Sequence, residues 1–552
     1  MKNSNKFTKW GIALLAIFVS LLSCNEDYLL EEPTSEFTAD FVYNTPEGLE
    51  SGVVALYNIQ RSFWENLANN GSNPIVLDAK DDLNVPRGGE ISNWGKLNNG
   101  RFPTNSNVHG DYWKLYYRIL DRSNALIKAA ESVTMPDARK AQIVSEAKFF
   151  RANSVFTLFK LFNNIYVTTE PTTPENALNI IDAKTPEADI YKLINEDLTY
   201  AISNLSWTPT ATGRIAQGAA RHLKAEVALW QNNWLEAKTQ SEAVIAQVAN
   251  HKLVASTDLV FKGDMNTTEA LWVLQFKKAV NGNPNKINFN LMPNYAEQTP
   301  GSKYTVEQGG RGFGWLTLNN YIRNLLAQDP NDTRIKGSYY VKDYLYNDPA
   351  TLPAGQTLGT IIRDNPAAPW KEFGNQASRN GFFIRQNAGC KKYFPDDGIP
   401  TEDTQVKNIM MARLAETYLY AAEANLMLGN NSGALTNLNA VRTRAKTAAL
   451  TGAVTIENIL DEQARELAFE GRRWYMLKRT GKLYEYVVNH AGYGKPGDLS
   501  LQNTGTKANT PEDPFTFAND ARRNMQPWMV NWVIPQSELN LLGPNYPQNT
   551  GY

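Results

Sequence analysis

Ala225-Glu226-Val227-Ala228-Leu229 and Ala422-Glu423-Ala424-Asn425-Leu426 can be laid over one another, and the match runs on past both segments. Asn233 falls on Asn430, Ala237 on Ala434 and Val244 on Val441. Each unit reads as a helix, a short turn and a second helix. Small residues stand where two helices must approach closely. Any antiparallel helix pair packs with Ala and Leu, but a register shared over both helices favours a true repeat.

Repeated helical hairpins of about 34 residues are the pattern of tetratricopeptide arrays, which need ~3 units to support themselves. A third candidate lies at 111–162. There Trp113, Tyr116, Tyr117, Leu120 and Leu126-Ile127 follow a helical rhythm, and Pro136-Asp137 opens a second helix through Phe162. The same spacing predicts helices at 46–64, 406–428, 432–446 and 455–480, and two to three more over 186–205 and 216–248. Residues 65–110, and much of 250–405, are dense in Asn, Gly, Pro and aromatics and read as loops and short strands. The tail 490–552 is irregular. The expected fold class is therefore mostly α: a tetratricopeptide-like helix-pair scaffold over about 111–250 and 406–480, with large irregular insertions over about 65–110 and 280–400. Insertions that long are more often functional than mere connectors.

The N-terminus carries a different message. Lys2, Lys6 and Lys9 precede an apolar stretch from Gly11 to Leu22, which is shorter than the ~20 residues a membrane-spanning helix needs. The pattern is that of a secretory signal. It ends Leu21-Leu22-Ser23-Cys24, as bacterial lipoprotein signals end, and an ordinary signal with an incidental cysteine is the plainer alternative. The expected organisation is a signal peptide over 1–23, a lipid-anchored tether over 24–45 and a single domain over 46–552, with Cys24 as the lipidated residue. The two acids after it, Glu26 and Asp27, suit either an export signal or a solvated tether.

The chain has 552 residues and a formal charge of −1; removing the three lysines of the signal makes it more acidic by three units. No basic stripe points to nucleic acid. With Cys24 acylated, the second of the two cysteines, Cys390, has no disulfide partner. Thirteen Trp, twenty-five Tyr and many Asn pairs (Asn69-Asn70, Asn98-Asn99, Asn319-Asn320, Asn430-Asn431) offer flat apolar faces and neutral amides, which suit sugars. Singly, each is as readily a core ring or a turn residue.

Reactive chemistry is sparse. The four histidines, His109, His222, His251 and His490, show no metal-ligand spacing. No Gly-rich phosphate loop followed by Lys-Ser/Thr, no G-x-G-x-x-G after a strand and no G-x-S-x-G elbow occurs. No cofactor or metal is expected. Glycosidases need only two carboxylates, so Asp78, Asp81, Asp82, Glu466 and Glu470 deserve weighing. Glu466 and Glu470 lie one helical turn apart, but arginines flank both, and salt bridging between helices is the better reading. The Asp78 cluster suits a ligand or cation, or a solvated, loop-capping set.

Four segments together resemble the SusD/RagB family of outer-membrane nutrient-binding lipoproteins. They are the lipoprotein signal; Ser145-Glu146-Ala147-Lys148-Phe149-Phe150-Arg151-Ala152 with Phe159-Lys160-Leu161-Phe162; Arg465 to Lys482; and Trp532-Val533-Ile534-Pro535-Gln536-Ser537-Glu538 with the ending Asn545 to Tyr552. Met476, Thr550, Asn164 and Ile165 depart from the family pattern at positions that look structural. The resemblance implies a tetratricopeptide-like scaffold and a non-enzymatic role. That role is capture of an oligosaccharide at the cell surface and delivery to a SusC-like TonB-dependent transporter, over which the protein acts as a lid. Some relatives do the same for peptides, and a surface glycosidase is the alternative of another class. The protein would sit at the outer membrane through its lipid. Ligand contacts are expected from Asn69, Asp78, Arg87 and Trp94 in the first insertion. In the second they are expected from Tyr295, Tyr304, Arg311 and Trp315, the last of these in the glycine-dense run 309–315.

Overall fold

The computed structural model describes residues 43–65, 73–86, 107–278, 284–297, 299–362, 386–492 and 525–552. Cys24, the signal and all but the last residues of the tether lie outside the described residues. Helices dominate. In chain order they are α1 (Pro46–Glu65), α2 (Val76–Ala79), α3 (Asn107–Ser132), α4 (Asp137–Phe162), α5 (Glu187–Asn204), α6 (Gln217–Trp230), α7 (Trp234–Ile245) and α8 (Ile287–Leu291). There follow α9 (Asn320–Ala327), α10 (Leu414–Met427), α11 (Asn431–Arg444), α12 (Ile456–Leu467), α13 (Arg473–Arg479), α14 (Leu483–His490) and α15 (Gln536–Leu539). The strands are β1 (Asn84–Pro86), β2 (Ala270–Leu274), β3 (Leu316–Leu318), β4 (Tyr340–Val341), β5 (Gly389–Cys390) and β6 (Ile409–Arg413).

The scaffold is a row of helices in which each packs on the next: α3 on α4, then α5, α6 and α7; α7 on α10; and α10 on α11 and α12. The step from α7 to α10 crosses the whole second insertion. The register read from sequence holds in space. Asn233 and Asn430 each cap a second helix, accepting from the N–H of Glu236 (3.2 Å) and Gly433 (3.1 Å), at φ/ψ of −86°/74° and −91°/77°. The residues before them, Asn232 and Gly429, both take positive φ. Ala237, Ala434, Val244 and Val441 are all buried. The small residues do what the pattern required: Ala225, Ala228 and Ala237 pack with Tyr420 and Ala424 where the two hairpins meet.

Two expected helices come out differently. Residues 406–428 open with β6 before α10 begins, and β6 pairs antiparallel with β2 (Leu274 with Ile409, Val273 with Met410, Ala270 with Arg413). The run Ile409-Met410-Met411-Ala412 is apolar enough for either element, and the pairing partner decides it. Residues 455–480 are two helices. α12 starts on a capping box between Thr455 and Asn458 and ends at Leu467, where Phe469 (φ 64°) and Gly471 (φ 68°) turn the chain into α13. Glu466 and Glu470 are therefore not neighbours on one helical face.

The insertions are tied to each other and to the scaffold. β1 pairs antiparallel with β3 (Asn84 with Leu318, Pro86 with Leu316), and β4 with β5. One main core runs through scaffold and insertions, and a smaller one, centred on Met292, Tyr295, Tyr344 and Tyr346, stabilises the second insertion. Cys390 is buried and free. Among the described residues no helix is long and apolar enough to cross a membrane.

Candidate functional site

The carboxylates come first, since they decide whether chemistry is available. Glu466 is fully buried and receives Arg413 (2.5 Å), Arg334 (3.1 Å), Arg444 and the Tyr339 hydroxyl (2.9 Å). Glu470 receives Arg413 (2.8 Å) and Lys392 (2.6 Å). Burial alone would raise the Glu466 carboxyl, but Arg444, Arg413 and Arg334 hold it well below the usual carboxylate range. An acid shared by three guanidiniums is a structural hub, not a proton donor. Salt bridging is thus what the pair does, though not with its sequence neighbours. Arg465 pairs with Glu462, Arg472 with Glu416 and Arg473 with Asp82.

The Asp78 cluster is not solvated. Asp78, Asp81 and Asp82 are all buried. Asp78 accepts the Gly471 N–H (2.9 Å), and Asp82 binds Arg473 through both oxygens (2.7 and 2.8 Å). Asp81 accepts from the N–H of Leu83 (2.8 Å). Burial pushes the Asp78 carboxyl up to about 7, against the lowering pull of the Gly471 N–H. Asp78 and Asp82 clamp the first insertion to Gly471 and to Arg473 at the start of α13, contacts across roughly 390 positions that no local pattern announces. Among the described residues no group of three or more His, Cys, Asp or Glu is arranged to hold a metal ion. Asn69, Arg87 and Trp94 lie outside the described residues.

In the second insertion the structure sorts the aromatic residues into two sets. Tyr295 is fully buried, stacked on Tyr344 (centroids 4.5 Å apart, planes at 16°), and its hydroxyl accepts the Thr305 N–H (3.0 Å). Trp315 is 5% exposed and runs directly into β3. Both expected ligand residues are core rings. Tyr304 and Arg311 remain half-exposed, beside one another. Burial pushes the Tyr304 hydroxyl up to about 12, helped by Glu297 and opposed by Arg311, and the hydroxyl donates to Asn294.

Around Arg311 stand two rings not singled out from sequence. Phe289 on α8 and Phe313 in the glycine run are both half-exposed and stack face to face, 5.5 Å apart at 26°. The Arg311 guanidinium lies 5.8 Å from the Phe289 centroid, and Lys286 lies 5.7 Å from it on a salt bridge to Asp403 (3.0 Å). Exposed Ile399 adjoins, since the Arg311 N–H bonds the Pro400 carbonyl (2.7 Å). The glycines explain the stack. A Cβ on Gly312 would sit 2.0 Å from the Met292 carbonyl oxygen, so only glycine lets this strand lie against α8, with the N–H of Phe313 on Phe289 O and that of Gly314 on Met292 O (both 2.7 Å). A ring flanked by glycines on both sides, Gly312-Phe313-Gly314, was the signal available in the sequence. The result is a flat aromatic surface edged by two cations and a phenol. It can stack a ring and bond hydroxyls, and among the described residues it holds no nucleophile–base pair.

The family described as "SusD family" matches residues 268–552, just over half of the chain. The chain belongs to the SusD family. A second description, "Starch-binding associating with outer membrane", matches residues 27–229. A SusD-like protein of Bacteroides ovatus is 24% identical over 497 residues, covering 85% of this chain and 82% of that protein. Among solved structures, a laminarin binding SusD-like protein aligns with a TM-score of 0.65 at 22% identity, over 92% of this chain and 100% of its own. A SusD homolog from Bacteroides thetaiotaomicron aligns at 0.72 and 17% identity, over 94% and 99%.

Three of the four segments that carry the family resemblance, those within the described residues, pack as one unit. Asn164, after the α4 motif, donates to the carbonyls of Pro547 (3.3 Å) and Gln548 (3.1 Å) in the terminal motif. Asn549 in turn donates to Phe162 and Trp532 carbonyls, and Lys478 of the Arg465–Lys482 motif reaches Asn531 (2.8 Å). Trp532 is buried between them. The departures from the family pattern at Asn164 and Ile165 fall in this core, where Asn164 supplies its own bonds.

Proposed function

We propose that this protein captures an oligosaccharide at the cell surface and hands it to a TonB-dependent outer-membrane transporter, over which it closes as a lid. The observation that carries the binding half is the Phe289–Phe313 stack edged by Arg311, Lys286 and Tyr304. Phe289 and Phe313 stay half-exposed in a protein that buries neighbouring rings such as Tyr295 and Trp315, which supports a binding role for the stack. Sugar C–H faces fit such a platform, and cations and a phenol bond hydroxyls. Solved structures named as binding proteins, one for laminarin and one for surface glycans, support the ligand class and a non-enzymatic role. The transporter partnership and the lipid anchor at Cys24 rest on family membership and on the N-terminal sequence. Of the residues expected from sequence, Tyr304 and Arg311 stay in the proposed site; Asn69, Arg87 and Trp94 stay as first-insertion candidates. Tyr295 and Trp315 pack beside it as core rings, and Asp78 is a buried clamp of the first insertion.

Each aromatic contact is worth about 1 kcal/mol beyond its buried area, so affinity should be micromolar or weaker, which suits a protein that must release its cargo. Calorimetry against laminarin-type and α-glucan oligosaccharides, with peptides alongside, tests the reading. Phe313→Ala should weaken glycan binding by about tenfold with the fold intact. Peptide binding without any glycan binding, or turnover of the sugar, would sink it.

A further inference from the structure

A second concave site lies within the scaffold, built from elements other than those of the Phe289–Phe313 platform. The end of α1, the middle of α4, the first half of α6 and the β2–β6 pair enclose a cleft of about 890 Å³, open mouth included. Trp64 and Trp272 contribute indole walls, Asn153 a half-exposed amide, and Lys160, Glu226 and Arg472 a polar end.

Two features of this lining point to a ligand. The indole N–H groups of Trp64 and Trp272 are buried and donate to nothing among the described residues. Trp272 as a whole is 6% exposed, and buried indole donors ordinarily find an acceptor. The charges, in contrast, are already matched. Lys160 holds Glu226 at 2.7 Å, and Arg472 faces Glu416 at 3.5 Å. The cleft therefore offers flat apolar walls, unused neutral donors and no net charge. A charged ligand would break an existing pair. A purely apolar one would leave the indole donors unmet.

We propose that this cleft binds a single neutral sugar ring, its C–H face on an indole and its hydroxyl oxygens accepting from the two indole N–H groups and the Asn153 amide. The ligand class rests on the glycan reading above, but the site does not depend on the platform. The test uses the mature chain and four neutral monosaccharides (glucose, galactose, mannose and xylose), followed by saturation-transfer NMR and calorimetry. At least one should bind saturably to the wild type and equally to Phe313→Ala. Trp64→Ala should weaken it by about tenfold or more. Trp64→Phe, which keeps a ring but loses the N–H, should fall between, and it guards against a misfolded Ala variant. The proposal is overturned if no monosaccharide binds, if both Trp64 variants titrate like the wild type, if Phe313→Ala abolishes the signal, or if free phenylalanine binds in place of the sugars. Oligosaccharide binding that survives Phe313→Ala while the monosaccharide result holds would sink the platform alone.

Discussion

The Glu466 hub and the Phe289 platform use the same side-chain chemistry to opposite ends. Both gather arginine or lysine around carboxylates and aromatic rings. At the hub every partner is buried: Arg334, Arg413, Arg444, Glu269 and Glu462 are all almost fully covered, and Tyr339 and Tyr340 close over them. At the platform Lys286 and Asp403 are half-exposed, as are Phe289 and Phe313 beside them. Buried charges are costly unless each is paired and hydrogen-bonded, so the hub tolerates no vacancy. Exposed ones are cheap to rearrange, so the platform can exchange water and its own contacts for a ligand's. A site that must bind and release belongs in the second regime.

The largest effect should come from breaking the hub. Glu466→Ala removes the anion shared by three guanidiniums and should cost about 3–5 kcal/mol, read as a lower denaturation midpoint in urea. Sugar affinity of the fraction that remains folded should be unchanged; a specific loss of binding without loss of stability would erase the distinction drawn here.

The pH dependence offers a second, intermediate test. Asp78 is held at about 7 against an ordinary value of 3.8, chiefly by burial. A carboxyl raised in the folded state stabilises in its protonated form. Its contribution is whole below about pH 4, is lost as pH rises, and is gone above 7. Glu416 runs the other way: burial raises it, but Arg472 and His222 bring it down to about 2, so its contribution is present above about 4.5 and is lost as pH falls. Asp78→Asn should therefore raise the thermal midpoint relative to wild type at pH 8 and leave it unchanged at pH 4. An equal shift at both pH values would show that the buried acid is not what titrates.

The smallest effect should be Asp403→Ala at the platform edge. Removing the half-exposed partner of Lys286 should change stability by no more than about 1 kcal/mol, and less at high salt. A cost like that of Glu466→Ala would mean the platform is as rigid as the hub.

The scaffold was legible because helical periodicity and capping are local. Asn233 and Asn430 carry their role in the side chain, and their structures agree to within a few degrees. The break after Leu467 was not legible, because it turns on positive φ at Phe469, a residue type that gives no warning; Gly471 was the only hint. Asp78, Asp81 and Asp82 looked like loop acids because their partners, Gly471 and Arg473, are remote in sequence. In the second insertion, composition marked the right neighbourhood and Arg311 and Tyr304 within it. Residue type alone could not tell that Tyr295 and Trp315 face inward while Phe289 and Phe313 face out. That choice is made by the backbone contact Gly312 permits with Met292.

The pairing of β2 with β6 bears on how such a protein diversifies. Leu274 and Ile409 stand opposite one another, so everything between them leaves and re-enters the scaffold through one narrow doorway. A loop of that length adds little closure entropy once its ends are fixed, so its content is free to drift. What has to be kept are the side chains that plug back into the body, among them Arg334, Tyr339, Tyr340 and Lys392 on Glu466, Arg465 and Glu470, and Asn319, Tyr321 and Tyr393 on Asp82, Asp461 and Phe469. A cassette from a relative that preserves those anchors, the β1–β3 pairing and the two doorway strands should graft onto this body and bring its own sugar preference with it.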